Sequence, residues 1–372
     1  MLKEIYKSAI TIRAYPLVVG LILATVIASG LIFFPSSIIK HLPESFFGNT
    51  HTRIQWGVFN IDNEMPPAHR VYVFGGSQVI QGFPPADQLQ ELADKEVGQV
   101  RIFEAAFSGQ SLFDSFVLLS NLPIDGQTVV FLQISPSRFK EKARLISSSR
   151  LMLDSSEVLN EMREAGFDLA DTDRTSRICR ELIILATRAF RPYDKLATEA
   201  KYVDDPAQFV ARLMPNPAEL NKAGGQAEAK AQEALISDMD VLCVIQKYIL
   251  GRGGQLYLFE MPHNVDFPKG MPGWALQEHE DQAVKGWLNR LHGNSQKDQA
   301  ESTRFNQDFY QKVKESGVPF ISFHSPAFYA AHNYYDSVHL RSSGRDIFLP
   351  NFFDALKSIF KTSQPTALEK TQ

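Results

Sequence analysis

Four residues of this chain have types and spacings that suit acyl chemistry. Ser77 stands in Gly75-Gly76-Ser77-Gln78, directly after the apolar run Val71-Tyr72-Val73-Phe74. Glycines there allow a tight turn that presents a hydroxyl. A serine hydroxyl is a poor nucleophile until a base takes its proton. His339 suits that role, and Asp336, three residues earlier, is close enough to orient an imidazole and stabilise its charged form. The tetrahedral intermediate of acyl transfer needs donors for its oxyanion. The backbone N–H groups of Ser77 and of Gly109, in Ser108-Gly109-Gln110-Ser111, are the natural ones.

Other residues are candidates to touch a substrate, each with a plainer alternative. Arg138, beside Ser137 in Ser135-Pro136-Ser137-Arg138-Phe139, can grip an anionic group, although a surface ion pair is the commoner fate of such a residue. Glu260 and His263 follow an apolar run and can line a cleft. Tyr335 and its neighbour Tyr334 can stack on a sugar or pack in a core. His324 and His332 form no metal-ligand pattern with His339, so neither a metal nor a cofactor is expected. Gly251-Arg252-Gly253-Gly254 precedes a strand rather than a helix and reads as a turn, not a phosphate loop.

The elements that must position these groups read as an alternation. Short apolar, β-rich runs occur at 71–74, 101–107, 128–134, 255–259 and 319–323. Between them the spacing predicts helices over 86–95, 112–120 and 301–315, and a last one over 342–356. Such alternation implies βαβ units and a parallel sheet with helices on both faces. The expected fold is α/β and flavodoxin-like, with five parallel strands in the order 2-1-3-4-5. Ligands of such sheets bind beyond the carboxyl ends of the strands, where Ser77, Gly109, Ser137, Arg138, Glu260 and His263 fall. One connection is too long for a simple crossover. Residues 139–252 read as a helical insertion, with helices expected over 155–166, 175–191, 206–214 and 226–250.

The 372 residues carry 38 Lys and Arg against 42 Asp and Glu, a net charge of -4, with 44% hydrophobic and 22% charged residues. These values exclude a disordered or collagen-like chain. With no Lys/Arg cluster, they argue against a nucleic-acid partner. The average hides an uneven start. No charged residue occurs over 14–39, long enough to span a bilayer, and Lys3, Lys7 and Arg13 precede it. A transmembrane anchor over 14–39 is expected, with residues 1–13 cytoplasmic by the positive-inside rule. A linker over 40–67 then leads to a domain over 68–372 outside the cytoplasm. The competing reading is a cleaved signal peptide, with small residues at Ala28-Ser29-Gly30, but the apolar run continues to Phe34. Such a compartment permits a disulfide. Cys179 and Cys243 are nevertheless expected as two buried free thiols.

Gly75-Gly76-Ser77 after the first strand, Ser108-Gly109-Gln110 after the second and Asp336-x-x-His339 near the C-terminus together resemble the SGNH/GDSL hydrolase superfamily. The resemblance covers roughly residues 69–137 and 255–360. It implies Ser77 as nucleophile, Asp336 and His339 as its acid–base pair and Gly109 as an oxyanion donor. Two positions depart from the family pattern. Gly76 stands where Asp is usual, and Ser135 and Ser137 occupy the region of the family's Asn after the third strand, which leaves the third oxyanion donor open. The membrane-anchored branch is the more similar one, with its D-alanyl lipoteichoic acid transfer protein and exported polysaccharide O-acetyltransferases. That likeness implies an acyltransferase or esterase acting on a cell-envelope glycan, held at the cytoplasmic membrane with its catalytic domain periplasmic or extracytoplasmic. It also implies an acyl donor and a multi-span membrane acyltransferase as partner. A non-catalytic glycan-binding or assembly subunit, and a lipid esterase, stay open as alternatives.

Overall fold

The computed structural model of the chain describes residues 16, 18–20, 22–23, 25, 54, 57–58, 61, 69–139, 153, 155–167, 227–263, 296–325, 328, 333–334 and 339–363. The chain divides into two compact units. One comprises Met1–Ile61, Leu151–Leu153 and Ala170–Asp194, and the other Asp62–Arg150, Asp154–Leu169 and Lys195–Gln372. In the first unit the described residues of the N-terminal run are helical, with Val18, Val19, Ile22 and Leu23 exposed. Ile54 and Val58 are buried. Among the described residues no helix is long and apolar enough to cross a membrane. Most of the expected anchor over 14–39 lies outside them, as do the helices expected over 175–191 and 206–214.

The second unit holds the sheet. Its strands are β1 (His69–Phe74), β2 (Val100–Glu104), β3 (Thr128–Gln133), β4 (Gln255–Glu260) and β5 (Phe320–Ser322). They form one five-stranded sheet in the order β2-β1-β3-β4-β5, every neighbouring pair parallel. This is the order expected from the alternation of apolar runs. The central strand β3 is buried along its whole length, as suits a strand covered on both faces. Strand β2 is shorter than the sequence suggested. It ends at Glu104, although the next residues still bond to the end of β1, through Ala105 N–H to Val73 O and Phe107 N–H to Gly75 O.

Helices α1 (Ser77–Gly82), α2 (Ala86–Glu96), α3 (Leu112–Ser120), α4 (Ser156–Glu164), α5 (Ala227–Gly251), α6 (Gln296–Glu315) and α7 (Ser342–Ser363) complete the unit. On one face Val71, Val73, Val129, Phe131 and Phe259 meet Leu89 and Ala93 of α2 and Phe348, Phe352 and Leu356 of α7 in a single core. Phe352 is central, its ring 4.9 Å from that of Phe83 and 5.3 Å from that of Phe131. The alternation of side chains along a strand sends Tyr72, Val130 and Leu258 to the opposite face. There α5 lies against β4 and α3. Phe116 of α3 meets Tyr248 of α5 edge to face at 5.1 Å.

Within the expected insertion the structure places α4 and α5 where the periodicity did, each within two residues at either end. Gly251 closes α5 and Gly253 takes a positive φ of 84°, so this glycine-rich stretch is a helix-terminating turn into β4. One expectation needs correction. Cys243 is a free thiol but exposed, not buried, because its position on α5 turns away from the face that carries Leu242 and Ile245. Cys179 lies outside the described residues.

Candidate active site

The carboxyl ends of β1 and β2 bring two glycine- and glutamine-bearing turns together, and Gln133 at the end of β3 meets the first of them. The first follows β1. Gly75 must be glycine, because a Cβ there would lie 2.3 Å from Val79 Cγ2 and 2.6 Å from Gln133 Oε1. Gly76 is the N-cap of α1, and Val79 N–H closes the turn onto its carbonyl at 3.1 Å. Ser77 is therefore the first helical residue, half-buried, on a strand–turn–helix corner. The sequence suggested only a turn here, since a helix of six residues is too short to leave a periodicity. The first N–H groups of a helix have no acceptor within it, so the Ser77 N–H is available as a donor by construction.

The second turn follows β2. Gln110 N–H bonds Phe107 O at 3.1 Å, and Gly109 inside that turn has φ +70°, a conformation that favours glycine. The exposed Ser108 and Gly109 sit at its tip. Ser111 then caps α3 in a reciprocal pair. Asp114 N–H donates to Ser111 Oγ at 3.0 Å, and Ser111 N–H donates to Asp114 Oδ2 at 3.1 Å.

Two buried glutamine side chains lock the turns to one another. Gln110 Oε1 accepts from Gly75 N–H at 2.7 Å while its Nε2 donates to Ala105 O at 2.7 Å. Gln133, the last residue of β3, accepts from Gly76 N–H at 2.8 Å through Oε1, and its Nε2 donates to Gln78 Oε1. Sequence reasoning passed over Gln78, Gln110 and Gln133. The available signal was a polar residue closing an apolar strand and two more inside glycine turns.

His339 arrives from the far end of the chain, just before α7. Its Nε2 lies 2.8 Å from Ser77 Oγ, and 262 residues separate the two in sequence. Near it Arg341 N–H bonds Asn333 O at 2.8 Å and Tyr334 bridges Leu340, contacts that join residues 333–334 to residues 340–341 beside His339. Tyr334 is buried, with 1% of its surface exposed, and so packs in the core. Asp336 and Tyr335 lie outside the described residues. Ser137 and Arg138 occupy a short 3-10 turn, Pro136–Phe139, after β3.

Glu260 and His263 belong to a second cluster, at the ends of β4 and β5. Tyr310 of α6 donates its hydroxyl to Glu260 Oε1 at 2.6 Å. Burial raises the Glu260 carboxyl above the usual carboxylate range, against the opposing effects of that bond, the nearby His324 and Ser322. The His263 and His324 rings stack at 4.4 Å and 15°. Burial lowers both, and at His324 the charge of His263 adds to the lowering. The 3.9 Å approach of His263 Nδ1 to Glu260 is a weak ion pair for that reason, since burial holds the imidazole toward its neutral form. Sequence reasoning did not link His324 and Tyr310 to this cluster, because the pairing of β4 with β5 brings His324, just after β5, to Glu260, and Tyr310 reaches it from α6 across 50 residues. Among the described residues no group of His, Cys, Asp and Glu is arranged to hold a metal ion.

No protein-family model matches the chain. No curated protein matches it either. Among solved structures the chain is similar to one from Bacteroides fragilis provisionally named an acylhydrolase, at 12% identity and a TM-score of 0.32, over 81% of this chain and 93% of that one. An overlap that loose speaks for neither fold nor chemistry. The sheet and the strand-end turns define an α/β protein with a serine and a histidine in hydrogen-bond contact where such sheets carry their ligands.

Proposed function

We propose that the chain is an SGNH-type serine enzyme that transfers or hydrolyses an acyl group, acetyl by preference, on a cell-envelope polysaccharide. The observation that carries this reading is the 2.8 Å approach of His339 Nε2 to Ser77 Oγ at the end of β1. That distance is what a general base needs to take a proton from its nucleophile.

Ser77 Oγ bonds the carbonyl carbon of an acyl ester, and its proton passes to His339 Nε2. The carbonyl π pair moves onto oxygen, where the Ser77 and Gly109 N–H groups hold it. Collapse expels the donor alkoxide, which takes the proton from Nε2 and leaves an acyl-serine. A sugar hydroxyl or water then attacks the acyl-serine in the same way, with His339 again as base, and Ser77 recovers its proton. Asp336 is assigned the orienting role on its spacing from His339 alone. Arg138, Ser137, Glu260 and His263 are assigned to the substrate cleft on their places at or after the strand ends, and Tyr335 on its place beside Asp336.

Sugar acceptor and envelope location rest on the uncharged run over 14–39 behind Lys3, Lys7 and Arg13, and on the resemblance to the anchored branch. In this reading the chain is a single-pass protein of the cytoplasmic membrane with its sheet outside the cytoplasm. It takes acyl groups from a donor supplied at the membrane by a multi-span acyltransferase.

A fluorophosphonate probe tests the serine. Wild type becomes labelled, Ser77→Ala does not, and His339→Ala reacts at least about 1,000-fold more slowly. An unlabelled wild type, or envelope acylation that survives Ser77→Ala, leaves a glycan-binding subunit as the better reading. Products formed with and without an acceptor sugar then separate transferase from esterase.

A further inference from the structure

The oxyanion site has a main-chain donor in Ser77 and another on the β2 side, in the Gly109 turn. No Asn follows β3 to supply a third. We propose that the Gln78 carboxamide is that third donor, oriented by Gln133; this rests on the serine reading of the site.

The orientation of the amide follows from a chain of hydrogen bonds. Gly76 N–H can only donate, so the Gln133 atom 2.8 Å from it is the carbonyl oxygen. The other Gln133 atom is then the amino group, and the Gln78 atom it meets must accept. Gln78 is thereby held with its oxygen toward β3 and its own amino group as the remaining end. Among the described residues that amino group has no acceptor. It belongs to the residue directly after the nucleophile, and Gln78 is half-buried rather than extended into solvent.

The sheet order places this amide. Since β1 lies between β2 and β3, the Gly109 turn flanks Ser77 on one side, and Gln133, with the Gln78 amide bonded to it, flanks Ser77 on the other. A carbonyl oxygen bound over Ser77 then meets donors from both sides. Gln133 acts through Gln78 and through Gly76, and is a positioning residue.

The test uses the full chain in detergent, with p-nitrophenyl acetate turnover and fluorophosphonate inactivation as readouts. Gln78→Ala is expected to lower kcat and the inactivation rate about 100-fold with KM little changed, the scale seen when one oxyanion donor is removed. Its unfolding midpoint should stay at the wild-type value. Gln133→Glu keeps an acceptor for Gly76 N–H but loses the donor to Gln78, and is expected to fall by a similar factor. The double variant Gln78→Ala, Gln133→Glu should be no slower than the slower single variant, because both changes remove one interaction. Wild-type kcat in Gln78→Ala, or multiplied losses in the double variant, overturns the assignment while a labelled wild type keeps Ser77 as nucleophile. A wild type that the probe never labels removes the serine reading and this one together.

Discussion

Tyr310, on α6, donates its hydroxyl to Glu260 at the end of β4 across 2.6 Å, and the acceptor is a carboxyl with only 4% of its residue surface exposed. Burial raises the pKa of both groups on folding, and the shift of the carboxyl makes the contact measurable.

Burial is the largest influence on Glu260 and raises its pKa, so the folded protein holds this proton more tightly than the unfolded chain. A group of that kind adds stability below its unfolded value and withdraws it as pH rises through the folded value. Glu260→Gln is therefore expected to gain stability relative to wild type from about pH 4 upward, where an unburied glutamate ionises. Tyr310→Phe removes a bond that favours the ionised carboxylate. Its cost should grow with pH toward about 1.5–3 kcal/mol, the range for a hydrogen bond to a charged group. Urea unfolding of both variants across pH checks this, and a pH-independent difference counts against it.

The stacked His263 and His324 pull the other way. Burial lowers both, and the charge of His263 lowers His324 further. Their contribution to stability is present above the unfolded value, about 6.5, and is lost as pH falls through it toward the folded values. His324→Phe keeps a ring on the stack and removes one titration. It should show a smaller loss of stability between neutral and mildly acid pH than wild type, read from thermal midpoints at several pH values. Equal acid losses in the two proteins would count against the stacked pair as their source.

Two adjacent glycines should behave unlike each other. Gly75→Ala drives a methyl into Val79 and Gln133 at 2.3 and 2.6 Å and is expected to cost about 1–3 kcal/mol, as overpacking does. Gly76 has ordinary φ of -88°, and its nearest neighbour to a new Cβ is 3.8 Å away, so Gly76→Ala should cost far less. Denaturant midpoints compare them directly, and similar losses would mean that the corner has relaxed around Gly75.

Phe352 is fully buried beneath the sheet and touches the rings of Phe83, Phe131 and Phe323. Phe352→Ala should cost about 3–5 kcal/mol, the usual range for emptying such a site. Because Phe83 ends the α1 corner that presents Ser77, fluorophosphonate labelling of the folded variant should slow as well. Labelling at the wild-type rate would show that the corner does not depend on this packing.

Much of the fold was legible in the sequence because it is written in local patterns. Each strand is a short apolar run bounded by turn residues, and β1, β3 and β4 begin or end within two residues of those runs. Helix α3 covers 112–120 as its spacing predicts, since Ser111 and Asp114 make a capping box that depends only on neighbouring residues. The alternation of strands and helices was enough to imply the strand order, because right-handed crossovers leave few alternatives. The turns carrying Ser77 and Gly109 were visible for the same reason, through their glycines.

Tertiary structure decided what those turns are tied to. Gln110 reaches Gly75 across 35 residues and Gln133 reaches Gly76 across 57, contacts that exist only because β2 and β3 flank β1. His339 reaches Ser77 across 262. Local patterns encode where a strand ends and which side chains stand there, because backbone preference and burial act over a few residues. Which of those ends meet, and which side of an amide faces a neighbour, depends on packing between distant segments, and no local pattern carries that.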